Sequence, residues 1–495
     1  MKEKAREYYN EKMKSMKDAE LRFFDRPEID FSQVSNVHLT GVCGTAMGSL
    51  AGLFREAGYE VSGSDKGCYP PMSDFIKESG IQFQEGFDPS HIEGKDLVII
   101  ANMFDAHNIE AKYARENSFP QLSMTEAIRN FFIKDCCSLV VAGTHGKTTT
   151  TGLLAHVFTS AGFDPGFLIG GVMVNSGKSF HVGNGDYFII EGDEYDTAYF
   201  DKSPKFLHYV PQAAIITSVE FDHADIYHDF TDYKKAFEFL AEEIPADGLL
   251  LLCGDNYAQN FAEYTEAPVL FYGLDEGNDV TARDVSVQED GQHFTLVIKG
   301  EEVANDLVIP LFGKYNLQNT LAVCALAITE GISIELLREG LKTFLGMKRR
   351  QEIIHDGKAI IIDDFAHHPT AVRETLSGIR ERFPKRRIVA VFEPRSVTSR
   401  KKIFESDYGT SFLSADCVFL SMPALKEVDN PDDFVDTKKI VDTIVSQGKI
   451  ASSDLSAIEV LPKLASFIQE GDVVVIMSNG SFDGIHLKLA TLLSV

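Results

Sequence analysis

The sequence predicts an α/β protein built from three successive domains, and three observations carry that expectation. A strand, glycine turn, helix and second strand open at Val37 (VHLTGVCGTAMGSLAGLFREAGYEVSGSD). A further strand near Ser138 (SLVVAG) runs straight into THGKTTTTGLLAHVFTSAG. After Arg350 the alternation of apolar strands with loops or helices starts again. Strands separated by helical segments pair in parallel and need helices to cover them. A chain of 495 residues has room for two to four such units, each with its own core.

In chain order, MKEKAREYYNEKMKSMKDAELRFF is charged and rich in helix formers, which predicts an N-terminal helical arm over residues 1–35. In the first unit, Met47, Leu50, Leu53 and Phe54 recur at helical spacing, and DLVIIAN ends the unit as a buried strand. The middle third adds DYFIIEGDE and AAIITSVEFDH, two apolar strands that end in acids. Residues 280–312 alternate polar and apolar, which predicts a small antiparallel excursion before a helix at Tyr315–Ala327. In the last third AIIIDDFAHH, RRIVAVFEPRS, DCVFLSM and DVVVIMSNG are strands. Domain boundaries are expected near 135 and 348, which gives units of 36–135, 136–347 and 348–495.

Composition narrows the function. The net charge of −27 argues against non-specific nucleic-acid binding, which needs a cationic face. No apolar run approaches a membrane span, and Leu97–Ile100 and Leu249–Cys253 are short enough to be buried strands. Residues 1–30 lack the apolar core of a signal peptide. Seven cysteines without repeated spacing (Cys43, Cys68, Cys136, Cys137, Cys253, Cys324 and Cys417) read as reduced thiols of a cytoplasmic protein.

Chemistry concentrates at strand ends. Gly143-Thr144-His145-Gly146-Lys147-Thr148-Thr149 lies between a strand and a helix. Backbone N–H groups of such a loop, with the helix N-terminus, cradle phosphates. Lys147 would reach the terminal phosphates, and the Thr148 hydroxyl would hold Mg²⁺. The general pattern also asks for glycine where Val141 stands. Glu191 directly follows Phe188-Ile189-Ile190, with Asp193, Glu194 and Asp196 beside it. A carboxylate there, in the same sheet as a phosphate loop, suits a Mg²⁺ ligand. His223, in Glu220-Phe221-Asp222-His223, could hold a second metal or orient a phosphate. The turn Gly41–Gly48 is GxxGxxxG rather than a dinucleotide fingerprint. Ser64-Asp65 nevertheless follows where such folds keep a ribose ligand, so a nicotinamide-dependent oxidoreductase stays open on this feature. Asp363-Asp364-Phe365-Ala366-His367-His368-Pro369 and Glu393-Pro394-Arg395-Ser396 end two strands of the last unit and suggest a substrate-facing edge.

Taken in order, GTHGKTTT, IIEGDEYD, EFDHAD, GKYNLQNTLA, GMKRRQE, DDFAHHPT and FEPRS resemble the Mur ligases of bacterial cell-wall synthesis, over roughly residues 36–490. The resemblance implies a Rossmann-like UDP-sugar-binding domain (36–135), a central P-loop ATPase-type domain that binds ATP (136–347), and a Rossmann-like peptide-binding domain (348–495). It implies Lys147, Glu191 and His223 as catalytic groups, with Thr148, Glu191 and His223 as metal ligands. Asn316 and Asn319 would lie near adenine, and Arg350 and Asp364 would close over the nucleotide. Gly44, Thr45, Met47, Ser64 and Asp65 would bind the UDP-sugar, and His367, His368 and Arg395 the peptide. His367 is also a candidate base for the incoming amine.

Within the family, YPPMS, YFDKSPKFLHY (Tyr199–Tyr209), EFDHADIY and FEPRS are similar to the branch that joins a murein tripeptide, L-alanyl-γ-D-glutamyl-meso-diaminopimelate, to UDP-N-acetylmuramate. The neighbouring branch adds L-alanine instead and lacks the FDK…KFLHY insert. Departures from the family pattern are ANMFDAHN at 101–108, EGDE for EADE, and SNGSFDGIH for SNGGFGGIH. The implied protein is cytoplasmic, a monomer or homodimer, and uses ATP and Mg²⁺ without nucleic-acid or membrane partners. A non-catalytic nucleotide-binding module is the alternative of another class.

Overall fold

The computed structural model describes residues 1–70, 72–423 and 433–494. Pro71, within the YPPMS phrase, lies outside the described residues. The architecture is the α/β one that the sequence predicts, with three main sheets following one another along the chain.

The first sheet has five parallel strands in the order Gln82–Glu85, Glu60–Asp65, Asn36–Thr40, Leu97–Ile100 and Gln121–Ser123. The chain starts in the middle, winds to one edge and returns to fill the other. That order places the Gly41–Gly48 turn at a crevice between oppositely wound strands. The helix Thr45–Glu56 that follows buries Met47, Leu50, Leu53 and Phe54, the positions its 3.6-residue period singles out. Gly52 on this helix faces the ring of Phe180 from the central sheet, where a Cβ would lie 2.2 Å from a ring carbon. Only glycine permits that approach, so it brings the first and second units into contact.

The central sheet has ten strands. Its Cys137–Ala142 strand runs parallel between Tyr187–Gly192 and Ala213–Ile216. Three runs spread over residues 137–216 of the sequence therefore end side by side. Strands such as LLLLC at Leu249–Cys253 are buried along their whole length, as expected where helices cover both faces. Val280–Gln288, Gly291–Ile298 and Glu301–Ile309 form the antiparallel excursion, and the helix after it spans Lys314–Thr329. The third sheet has six strands. Glu352–Asp356 is antiparallel to Ile360–Asp364, and the rest are parallel.

The N-terminal arm is helical over Glu3–Lys14 and buries Ala5, Tyr9 and Met13. Beyond it, the Arg22 guanidinium donates to the Tyr199 carbonyl at 2.5 Å. Arg26 donates through both terminal nitrogens to Glu126, each at 2.8 Å. The arm therefore touches both the first unit and the Tyr199–Tyr209 insert, whose Asp201–Pro204 strand pairs antiparallel with Asp196–Ala198 just before it.

One expectation is corrected. Cys43 and Cys68 form a disulfide with Cα atoms 5.5 Å apart, so the reading of all seven cysteines as free thiols does not hold. Their separation of 25 residues matches no short-spacing signal. The glycine turn and the segment after Asp65 meet only because neighbouring parallel strands end together. Cys136, Cys137, Cys253, Cys324 and Cys417 are free.

Beneath the glycine turn sits the buried carboxylate of Glu110. It accepts from Thr40 Oγ1 at 2.7 Å and Ser64 Oγ at 2.6 Å, and lies 3.0 Å from His91 Nδ1. Burial alone would raise its pKa, but bonds to His38, Ser64 and Thr40 hold it below the ordinary value. A carboxyl with a lowered folded pKa adds stability above its unfolded pKa and loses it as pH falls through the folded one. Glu110→Gln should therefore lower stability by about 1–3 kcal/mol near neutral pH. The difference should shrink as urea-denaturation midpoints are measured down through the carboxylate range.

Candidate active site

The three adjacent strand ends of the central sheet build the site. Residues 143–146 leave the Cys137–Ala142 strand and enter the helix Lys147–Ser160. Gly143 has φ +129° and Gly146 φ +85°, both in the left-handed region. A Cβ on Gly143 would fall 2.2 Å from Thr217 Oγ1 and 2.9 Å from the Ser218 backbone nitrogen. The loop is held from the neighbouring strand end. The Thr144 N–H donates to the Ser218 carbonyl, the His145 N–H to Ser218 Oγ, and Thr217 Oγ1 to the His145 carbonyl.

Lys147 does not reach into open solvent. Its Nζ donates to the Gly143 carbonyl at 2.5 Å and to Glu194 at 2.9 Å. Burial pulls its pKa down, but Glu194, Asp193 and Glu191 together hold it above the ordinary value. Glu194 is fully buried and also accepts from Tyr233 OH at 3.0 Å, with His223 Nε2 at 2.9 Å. Burial would raise its pKa, and Lys147 and His223 outweigh that effect. Glu194 is thus the common counter-ion of the two groups that the sequence reading put first.

Glu191 lies on the other side of the loop. One oxygen accepts from Thr148 Oγ1 at 3.1 Å and the other from the Gly170 N–H at 2.8 Å. Burial raises its pKa, only partly offset by Lys147, the Gly170 N–H and Arg350. Two hard oxygen donors, one of them an undercompensated carboxylate, suit a hard divalent cation. His223 is placed differently. It has φ +55°, its ring pairs with Glu194 rather than Glu191, and Glu194 and Asp222 raise its pKa against the pull of burial. It would have to leave Glu194 to serve as a metal ligand.

A cavity of about 710 Å³ joins this site to the other two sheets. Thr144–Thr149, Glu191, His223 and Asn319 line it, with Arg350, Asp364, His367 and His368 from the third unit and Thr45 from the first. Arg350 donates to Thr148 Oγ1 at 3.2 Å. Asp364 accepts from the Gln351 and Ala366 N–H groups, each at 2.7 Å, and so shapes the backbone on both sides of the closing segment. Asn319 leaves its Nδ2 buried and unpaired beside Gly146. Asn316 instead donates to the Phe312 carbonyl at 2.8 Å and stands outside the cavity wall.

Other expected residues also fall outside that wall. Gly44 starts the first helix, Met47 is packed in the core, and the Ser64 hydroxyl turns inward to Glu110. Asp65 accepts from the Cys43 and Lys66 N–H groups and shapes the turn itself. Arg395 is half exposed, 3.6 Å from Glu393, and lies against Gly480.

Comparison with known proteins follows the same division of the chain. Residues 36–134 match the Mur ligase family catalytic domain, 141–327 the Mur ligase middle domain, and 349–480 the Mur ligase glutamate ligase domain.

The chain belongs to the Mur ligase family.

It is an ATP-dependent, amide-bond-forming ligase of that family. The UDP-N-acetylmuramate–L-alanyl-γ-D-glutamyl-meso-2,6-diaminoheptandioate ligase of Haemophilus influenzae is 36% identical over 461 residues, covering 92% of this chain and 98% of its own length. A UDP-N-acetylmuramate–L-alanine ligase of Chromobacterium violaceum is 32% identical over 474 residues, covering 93% and 99%. The crystal structure of a murein peptide ligase from Psychrobacter arcticus superimposes with a TM-score of 0.69 at 32% identity, covering 93% of this chain and 98% of that one. All three matches run over more than nine-tenths of this Mur ligase rather than a single domain of it.

Two groups that the sequence reading did not assign stand out in the geometry. Glu194 was visible as one of several crowded acids, and its burial was the missing signal. Lys205, in the insert, is nearly buried and donates to Asp193 at 2.6 Å; its position five residues after an apolar Tyr-Phe pair carries no pattern. The backbone constraint on the loop gives a direct test. Gly143→Ala should cost about 1–3 kcal/mol of stability through a strained loop. Gly44→Ala, at φ −70° with only an ordinary 3.5 Å contact from its Cβ to the Gly41 carbonyl oxygen, should stay within about 0.5 kcal/mol. Urea unfolding of both variants measures the difference.

Proposed function

We propose that this ligase joins L-alanyl-γ-D-glutamyl-meso-diaminopimelate to UDP-N-acetylmuramate, in the cytoplasm where ATP is supplied. The reading is carried by the end-to-end likeness to the Haemophilus influenzae ligase named for that tripeptide. The ordered Tyr199–Tyr209 insert supports it. Phe206 and Tyr209 are buried in the core, and Lys205 and Tyr209 face the cavity.

In the proposed reaction the lactyl carboxylate of UDP-N-acetylmuramate attacks the γ-phosphorus of ATP, and ADP leaves. The peptide α-amine then attacks the acyl carbon of the resulting acyl phosphate. Inorganic phosphate leaves and the amine gives up a proton. Lys147 and Arg350 approach the loop from opposite sides and would stabilise charge on the transferring phosphoryl group. Thr148 and Glu191 would hold Mg²⁺, which would neutralise phosphate charge when bound. His367 lines the cavity, and burial keeps its pKa below the ordinary value. A neutral ring there is the proposed acceptor of the amine proton. The contacts of Arg350 and Thr370 across the domain boundary keep the cavity covered, which would protect an acyl phosphate from water.

Phosphate release by the purified chain tests the reading. With ATP, Mg²⁺ and UDP-N-acetylmuramate, the tripeptide should support turnover and L-alanine should not; turnover with L-alanine alone would assign the chain to the alanine-adding branch. Lys147→Ala should lower kcat by about 10²-fold or more while the protein remains folded by circular dichroism. Binding of UDP-N-acetylmuramate should persist in that variant, because the residues proposed for the UDP-sugar belong to the first unit. Unchanged turnover in Lys147→Ala would instead sink the assignment of the phosphate loop.

A further inference from the structure

Where the phosphate loop meets the third sheet, three metal-ligating side chains converge that the proposed reaction does not use together. One ring nitrogen each of His145 and His368 and one carboxylate oxygen of Glu220 lie within 4.8 Å of one another. We propose that His145, Glu220 and His368 form a binding site for a borderline divalent cation of the zinc class, which bridges the central and C-terminal sheets.

Each ligand is held by a different element. His145 is fixed within the phosphate loop by its bonds to Ser218 and Thr217. Glu220 follows the Ala213–Ile216 strand and accepts from Thr370 Oγ1 at 2.7 Å. His368 caps the helix Pro369–Arg382. Its ring stands over that of His145 with centroids 4.8 Å apart, and Glu220 Oε2 lies 3.5 Å from His145 Nε2.

The two imidazoles leave their Nε2 atoms buried and without a hydrogen-bond partner. His368 is only 6% exposed. Buried polar atoms are ordinarily paired, and two orphaned ring nitrogens in a cluster with one carboxylate, where His368 Nδ1 stands 3.9 Å from Glu220 Oε2, mark a place for a ligand.

Two imidazoles and one carboxylate are the donor set of three-ligand zinc sites, which leave a fourth position open. Imidazole nitrogen favours Zn²⁺ or Co²⁺ over Mg²⁺. The oxygen pair of Thr148 and Glu191 has the opposite preference, so the two sites divide the cations between them. Ligation through His368 Nε2 moves the ring proton to Nδ1 and gives up the long 3.3 Å cap bond from the Thr370 N–H. Because the ligands come from both units, cation binding fastens the covered arrangement of the cavity, whatever amine substrate the enzyme takes.

Cobalt titration of the full-length chain, stripped by a chelator and kept in saturating Mg²⁺, tests the site. One Co²⁺ per chain should bind with visible bands of nitrogen and oxygen coordination and no thiolate-to-cobalt charge transfer. His368→Asn keeps a helix-cap acceptor, and Glu220→Gln keeps an acceptor for Thr370. Both should remain folded by circular dichroism, lose the bands, and bind Co²⁺ at least about tenfold more weakly. Glu191→Gln should retain the bands. Failure of the unmodified chain to bind one Co²⁺, thiolate bands, or unaltered spectra in both His368→Asn and Glu220→Gln would overturn the proposal. So would loss of the bands in Glu191→Gln alone.

Discussion

The buried pair of Lys147 and Glu194 is the constraint on which the site depends. An ammonium and a carboxylate removed from water are costly unless each is fully partnered. Here the partners are supplied by three segments, with His223 and Tyr227 on the same one. Gly143 contributes a carbonyl from the loop, Tyr233 a hydroxyl from the helix Phe230–Glu243, His223 a ring nitrogen, and Tyr227 a hydroxyl to the Glu194 carbonyl. Moving any one of these segments would strand a charge. The three strand ends around the loop are therefore locked in relation to one another before any nucleotide arrives.

The same electrostatics explain why Glu191 and Glu194, three residues apart, behave oppositely. Both leave the same strand end, and both are desolvated. Glu194 has two cationic partners and stays below its ordinary pKa. Glu191 has hydrogen bonds and more distant cations, and stays above it. The loop thus offers one carboxylate already spent on the protein's own lysine and a second still lacking positive charge. A divalent cation held by Thr148 and Glu191, as proposed, would supply that charge.

Much of this was legible in the sequence because it was local. A strand that runs into GTHGKTTT, and acids that directly follow Phe188-Ile189-Ile190, announce their place on a sheet edge without any knowledge of pairing. The antiparallel excursion was equally plain, since its period of two differs from its surroundings. What could not be read depended on which strands lie side by side. Cys43 and Cys68 become partners only because Asn36–Thr40 and Glu60–Asp65 are neighbours. Ser64 and Asp65 sit where a ribose ligand was expected, yet Glu110, 46 residues away from Ser64, turns the serine inward. The asparagines of the Lys314–Thr329 helix differ in the same way. Asn319 reaches the cavity, and Asn316, one turn earlier, is used up on the Phe312 carbonyl.

The contacts across the cavity also set the order in which the site must change. Arg350 occupies the Thr148 hydroxyl, and Lys147 occupies the Gly143 carbonyl and Glu194. A nucleotide that brings its phosphates into the loop competes with both cations' present partners and offers each a stronger one, since phosphate oxygens carry more charge than a hydroxyl or a carbonyl. Lys147 would leave Glu194 only where phosphate charge replaces that carboxylate, which would keep His223 and Tyr233. Arg350 also lies in the field of Glu191 on the central sheet and packs on the Phe365 ring, 4.7 Å away within its own unit. The third unit meets the central one at further points: Gln351 donates to Tyr315 OH at 3.0 Å, Arg382 stands over the Phe312 ring at 4.4 Å, and Thr370 donates to Glu220. Under the proposed reaction, closure over the substrates would therefore transfer Arg350 from protein to phosphate while those contacts hold the two units together.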